Sequence, residues 1–129
     1  MENAEWIEIL KNEPFGIFHA KHFHSKILIS EDFEDGMLSD IIRVHDANYV
    51  LHIWQVCSEI KEGNILQYDG DTSLTCESWP AAIRAVGAVV EACWAVLHKE
   101  YKNAFCPVWP PGHHAGIYGT VDISTKELK

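Results

Sequence analysis

Ala104-Phe-Cys-Pro-Val-Trp109 is a short apolar run, and Pro110-Pro-Gly-His-His-Ala-Gly116 follows it without a break. An apolar run of this length bounded by turn residues reads as a short buried strand. Pro107 directs it to an edge or an irregular strand, because proline has no N–H to give to a ladder. In the loop beyond, the prolines stiffen the entry, and Gly112 and Gly116 let the backbone approach a ligand closely. Histidine titrates near neutrality, so His113 and His114 together can offer a proton acceptor and a positively charged stabiliser. On spacing alone, an ordinary solvated His-His turn accounts for the pair equally well.

Upstream, residues 79–98 are apolar nearly all round, with small residues Ala81, Ala82, Ala85, Gly87, Ala88 and Ala92 permitting close contact. Ser78 can cap this helix and Pro80 is tolerated in its first turn. Such a helix belongs in the middle of a layered fold. It approaches the length of a membrane span, but Arg84 and Glu91 would each be costly in lipid, so a buried soluble helix is expected. Helix, short strand and then a Gly- and His-bearing loop is the order in which α/β proteins place chemistry at strand carboxyl ends.

Residues 37–60 follow a 3.6-residue apolar rhythm that predicts two consecutive helices broken near His45-Asp46, with Asp46 as N-cap of the second and Gly63-Asn64 closing it. Tyr68-Asp-Gly-Asp-Thr72 is a turn-rich loop. Residues 1–13 predict a short amphipathic helix stopped by Pro14, Lys26-Ile-Leu-Ile29 a short extended piece, and Glu31-Asp-Phe-Glu-Asp35 a solvated loop or helix start.

Trp109-Pro-Pro-Gly-His-His-Ala115 resembles the R-P-P-G-H-H-A signature of class II-type histone deacetylases and the related acetylpolyamine amidohydrolases. Arg43-Val-His-Asp-Ala-Asn-Tyr-Val50 is similar to the family's V-H-x-x-x-Y-V segment. Asp71-Thr-Ser-Leu-Thr-Cys-Glu-Ser78 resembles its D-T-x-x-S loop, and Asn103-Ala-Phe-Cys-Pro-Val108 resembles its N-A-F strand. These segments stand in the family's order across residues 37–119. The resemblance implies an α/β fold, here a partial histone-deacetylase-like (arginase/deacetylase) fold with helices packed on a short parallel sheet. Residues 1–36 are expected as a helix and irregular segment, and residues 37–129 as the N-terminal part of the domain.

It further implies a zinc-dependent amide hydrolase that removes acetyl or other acyl groups from lysine in protein tails or from polyamines. By motif position His114 would be the general base and acid, and His113 its electrostatic partner. Gly112 would lie against the substrate. Asp71 would stand at the rim of the acyl-lysine channel, although an N-cap or turn role suits the residue better.

The departures are as informative as the matches. The family's metal ligands, an Asp-x-His pair and a later Asp, should follow the histidine loop, as should a tyrosine that polarises the carbonyl. No histidine follows His114, and Asp122 is the only acid between it and Glu127. No metal ligand is therefore assigned in this chain, and zinc is expected only for the complete family domain. Trp109 stands where the family has Arg, removing a fixed charge. His19, His22 and His24 form H-x-x-H-x-H, which no single regular element brings to one point, so they read as a surface or partly packed cluster rather than a metal site. Cys106 reads as a strand-core cysteine rather than the thiol of a pair with His113, and Trp54, Trp79 and Trp94 read as core or interface anchors.

Over 129 residues, 10 Lys and Arg stand against 19 Asp and Glu, a net charge of −9. That length allows one domain. The charge repels a phosphate backbone and suits a lysine-bearing substrate, which argues against direct nucleic-acid binding. The acidic start lacks the charge pattern of a signal peptide, and Cys57, Cys76, Cys93 and Cys106 read as reduced, mostly buried thiols. An intracellular protein of the nucleus or cytoplasm, with no membrane association, is expected. The functional expectation is a deacetylase-family protein, inactive as this isolated chain and needing a partner or the rest of the domain to cover its apolar surface. The alternative is a non-catalytic deacetylase-derived interaction subunit.

Overall fold

A computed structural model describes residues 9–10, 16, 27–70, 72–108 and 115–120. Two long helices form its frame. A one-turn helix, α1 (Leu38–Ile41), leads through a turn into α2 (Ala47–Glu59); a hairpin of β1 (Leu66–Gln67) and β2 (Ser73–Leu74) follows, then α3 (Ser78–Leu97), and last a hairpin of β3 (Ala115–Gly116) and β4 (Gly119–Thr120). The helix break falls where the rhythm of residues 37–60 placed it. Of the expected N-terminal helix, only Ile9 and Leu10 are among the described residues, and both are helical.

Asp46 starts α2 as expected: its carboxylate accepts from the backbone N–H groups of Asn48 (2.9 Å) and Tyr49 (3.1 Å), satisfying two donors that have no partner within the helix. The helix ends at Ile60, which turns extended, slightly before the expected Gly63-Asn64. Those two residues instead close a turn in which Asn64 N–H donates to Lys61 carbonyl (3.0 Å) and Gly63 takes φ +81°, the left-handed conformation that glycine adopts without penalty.

At the start of α3 the cap differs from expectation. Ser78 is the first helical residue rather than the cap; Glu77 stands at the N-cap with no side-chain cap bond, while Thr75 N–H donates to Ser78 Oγ (2.9 Å) and Glu77 N–H donates to Thr75 Oγ1 (3.2 Å). At the other end, Lys99 N–H donates to Val96 carbonyl (3.1 Å) and Glu100 N–H to Ala95 carbonyl (2.9 Å), with Lys99 at φ +62°. This is a Schellman closure with lysine where glycine is usual.

The core lies between α2 and α3, under the first hairpin. Val50, Cys57 and Leu74 are its buried apolar residues, Val50 being 3% and Cys57 1% exposed. Val50 and Cys57 stand seven positions apart on α2, two full turns, and so share one face. Fully burying a side chain the size of Val50 contributes about 1.5–3 kcal/mol.

The small residues of α3 have a specific use. A Cβ on Gly87 would collide with the carbonyl oxygen of Glu34, and one on Gly36 would come within 2.5 Å of Val86 Cγ1. Residues 34–36 thus rest directly on the helix backbone, and Gly36 N–H donates to Ile83 carbonyl (2.8 Å). Arg84 reaches over the same strap. Its guanidinium donates to the carbonyls of Phe33 and Glu31, pairs with Asp35 (3.4 Å), and lies 4.1 Å from the centre of the Phe33 ring. The acidic stretch 31–35 is a loop, as expected, held by the one cation of α3.

Several expectations are corrected. Residues 104–108 form no strand: Val108 N–H donates to Cys106 carbonyl (2.9 Å), a tight local turn over Pro107 that leaves nothing regular for a ladder. Residues 27–29 likewise join no sheet. Both ladders among the described residues are two-stranded and antiparallel, pairing Leu66 with Leu74 and Ala115 with Thr120, so the short parallel sheet does not form there. Helix α3 is not enclosed: Gly87 is its one buried residue, and Trp94 (57%) and Leu97 (77%) are exposed. By length and composition alone α3 could also cross a membrane. Of the four thiols, all free, Cys57 is buried, Cys76 and Cys106 are half-buried and Cys93 is exposed, so they are less buried than expected. Trp54 is half exposed, and Trp94 stacks on the His98 ring at 3.8 Å rather than anchoring a core.

Candidate active site

Gly112, His113 and His114 lie outside the described residues, as do Trp109, Asp71 and the His19, His22 and His24 cluster. The stretches that flank the histidine pair are described, and each is tied to a long helix.

On the upstream side, the Cys106 thiol lies 3.6 Å from Ala88 carbonyl of α3. Burial pushes the Cys106 thiol up, reinforced by Cys93, so it stays protonated and a poor nucleophile at neutral pH. That agrees with a packing role. On the downstream side, the β3–β4 hairpin docks on the amino end of α2. His45 Nδ1 stands 2.8 Å from Gly116 carbonyl. A carbonyl can only accept, so the imidazole carries its proton on Nδ1 and donates it. The next residue repeats the connection through backbone: Asp46 N–H donates to Ile117 carbonyl (2.8 Å). Tyr49, one turn further along, lays its ring edge against Gly119, where a Cβ would come within 2.9 Å of Cε2.

Tyr49 also belongs to the neighbourhood of the first hairpin. Burial, reinforced by the nearby Tyr68 and Asp69, pushes its hydroxyl up, so it remains a neutral phenol through the physiological range. The His52 and Tyr68 rings, 6.1 Å apart, bring the same hairpin to α2. In the loop that contains Asp71, the ordering carboxylate is Asp69, whose Oδ1 accepts from Thr72 N–H (2.8 Å), while Tyr68 N–H donates to Thr72 carbonyl (2.8 Å). Asp69 is thus an ordering carboxylate of this loop that sequence reasoning passed over, while Asp71 itself lies outside the described residues. Both aspartates sit in one turn-rich run, and nothing local distinguishes them.

One motif-like segment, 43–50, thus meets the residues next to two others: Tyr68 and Asp69 before the 71–78 segment lie near Tyr49, and Gly116, Ile117 and Gly119 after the 109–115 segment are fastened to His45, Asp46 and Tyr49. A sequence profile of the histone deacetylase domain matches residues 7–119. The chain belongs to the histone deacetylase domain family. A "Probable deacetylase" of Archaeoglobus fulgidus is 36% identical over 103 residues, covering 80% of this chain and 26% of that protein. "Type-2 histone deacetylase 2" of Dictyostelium discoideum is 49% identical over 49 residues, 38% of this chain and 3% of that one. "Histone deacetylase HDA1" of Candida albicans is 29% identical over 108 residues, 78% and 12% respectively. The chain spans about a quarter of the length of the archaeal relative.

Histone deacetylase domains are generally metal-dependent. Among the described residues, no three His, Cys, Asp or Glu side chains converge to hold a metal, and no buried side-chain nitrogen or oxygen is left without a partner that an ion could satisfy. The described residues therefore do not fit a metal centre of this domain.

Proposed function

We propose that this chain is the histidine-loop portion of a histone deacetylase domain that hydrolyses acyl-lysine amides, in acetylated protein tails or the chemically similar polyamines. The observation that carries the reading is the fastening of residues 116–119 to His45, Asp46 and Tyr49, which ties the segment just beyond His114 to a rigid helix end. In this reading His114 accepts a proton from the attacking water and returns it to the departing amine, and His113 stabilises the charge that develops beside it. Gly112 lets the backbone approach the acyl group, and Asp71 contacts the substrate at the rim. Zinc belongs to the proposed complete domain, and no step is assigned to it here because no described residue set holds it. The chain alone, which has no Asp-x-His after His114, does not turn over substrate. An intracellular location, nuclear or cytoplasmic, accords with acetylated lysine as substrate and with the −9 charge.

A deacetylation assay on an acetyl-lysine peptide tests this in two forms: the 129-residue chain, and a polypeptide joining residues 1–129 to the remainder of a histone deacetylase domain. The first is expected to be inert. The second is expected to turn over and to lose about 10²–10⁴-fold in His114→Ala, the usual size of a general acid–base contribution. Turnover by the chain alone, or by the joined polypeptide without His114, overturns the assignment.

A second reading is supported by the uncovered apolar residues Trp94, Leu97 and Phe105: a non-catalytic interaction subunit that uses the inherited fold. A stable, metal-free complex with an unrelated partner and no turnover in either form favours it.

A further inference from the structure

We infer that the groove between residues 27–33, α3 and residues 100–108 is a docking site for a short extended peptide segment in which a lysine or arginine stands among bulky apolar residues, whether or not the chain hydrolyses amides. The groove holds about 600 Å³, within the roughly 300–1,000 Å³ of ligand-binding clefts. Its floor is one face of α3. Ala88, Ala92 and Ala95 follow one another there at helical spacing and present only methyl groups, so a bound chain can come close to the helix. Ile27, Leu28 and Ile29 line the groove from one segment, Tyr101 and Phe105 from another, and all five are exposed.

Charge identifies the occupant. Glu91 stands on the same helix face as those alanines, one turn beyond Ala88 and one turn before Ala95, and so belongs to the floor itself. Glu31 and Glu100 line the groove as well, and no Lys, Arg or His is among the described residues that do. Neither the Glu91 nor the Glu100 carboxylate has an ion pair or hydrogen bond among the described residues, and Arg84, the one cation of α3, is engaged by the 31–35 loop. Carboxylates set among apolar walls attract a cation and repel an anion, while the walls favour apolar neighbours on either side of it. An acidic segment gains neither. The floor runs along α3 from Ala88 to Ala95 for about 10 Å, the span of about three extended residues. At longer range the net charge of −9 draws the same kind of segment in and turns an anionic lipid surface away.

The probe is a rhodamine-labelled peptide, Ser-Val-Leu-Lys-Leu-Val-Ser amide, titrated with the 129-residue chain and followed by fluorescence anisotropy, beside the same peptide with glutamate in place of lysine. The lysine peptide should bind saturably below about 1 mM, and the glutamate peptide about tenfold or more weaker. Glu91→Gln should weaken the lysine peptide about twofold to fivefold, the size of one exposed ion pair, and Glu91→Lys about tenfold or more, with the far-UV circular dichroism unchanged. Glu62→Gln, outside the groove, should leave binding as it is. No saturation, equal binding of the two peptides, or indifference to Glu91→Lys overturns the proposal. A dimer of the chain, seen by sedimentation velocity and competed apart by the probe, overturns it too, because the groove then belongs to a second copy. So does loss of binding in the joined polypeptide, because the groove is then an internal face of the complete domain.

Discussion

The ring of Tyr49 stands so close beside Gly119 that a methyl group at position 119 would lie 2.9 Å from Cε2 and 3.3 Å from Cζ. Gly119 also has φ +113°, a conformation that side chains rarely adopt. Two independent constraints therefore require glycine here, one from the backbone and one from the ring. Gly119→Ala should loosen the β3–β4 hairpin by about 1–3 kcal/mol. The check is local amide exchange: residues 115–120 should lose protection while α2 and α3 keep theirs, and equal protection in the variant would remove Tyr49 from the docking account.

Asp46 holds the first turn of α2 through its carboxylate, and its own N–H holds the hairpin. Asp46→Ala removes the cap and leaves the N–H. A loss of about 1 kcal/mol in urea unfolding is expected, with Asp46→Asn recovering most of it because an amide oxygen accepts in the same way. A loss of the same size in both variants would mean that charge, rather than capping geometry, is what matters.

Lys99 adopts the left-handed conformation that completes the Schellman closure of α3. A lysine pays for that conformation and a glycine does not. Lys99→Gly should raise stability by about 1 kcal/mol, seen as a higher urea midpoint with an unchanged slope. Destabilisation instead would show that the Lys99 side chain makes a contact worth more than the strain.

The Cys57 thiol is pushed above its ordinary value of 9.0, chiefly by burial, with the Trp79 backbone hydrogen bond opposing. Below that value the thiol is neutral in both the folded and the unfolded chain, and its burial is free of charge. Above it the unfolded chain ionises first, so stability falls as pH rises through the ordinary value towards the folded one. Unfolding midpoints measured between about pH 8 and pH 10 should fall, and Cys57→Ala should show a shallower fall from a lower starting stability. Alkylation should follow the same order of access, the exposed Cys93 reacting first and Cys57 last.

The local features were legible in the residues themselves. The existence of α2 and α3, the break before α2, the Asp46 cap and the 31–35 loop follow from 3.6-residue periodicity and from side chains bonding to backbone a few positions away, which needs no knowledge of the rest of the fold; the end of α2 and the cap of α3 do not. Family membership was legible too, because the P-P-G-H-H-A-like loop and the V-H-x-x-x-Y-V-like segment survive as contiguous strings. Only the tertiary structure decided which atoms meet. It set the Asp69 carboxylate on Thr72 N–H in the first hairpin, turned residues 104–108 into a local turn over Pro107, seated residues 34–36 on Gly87, and brought His45, Asp46 and Tyr49 to a hairpin some 70 residues away. Each of these outcomes is a competition between donors, acceptors and steric volumes distant in sequence, and periodicity contains no information about its winner.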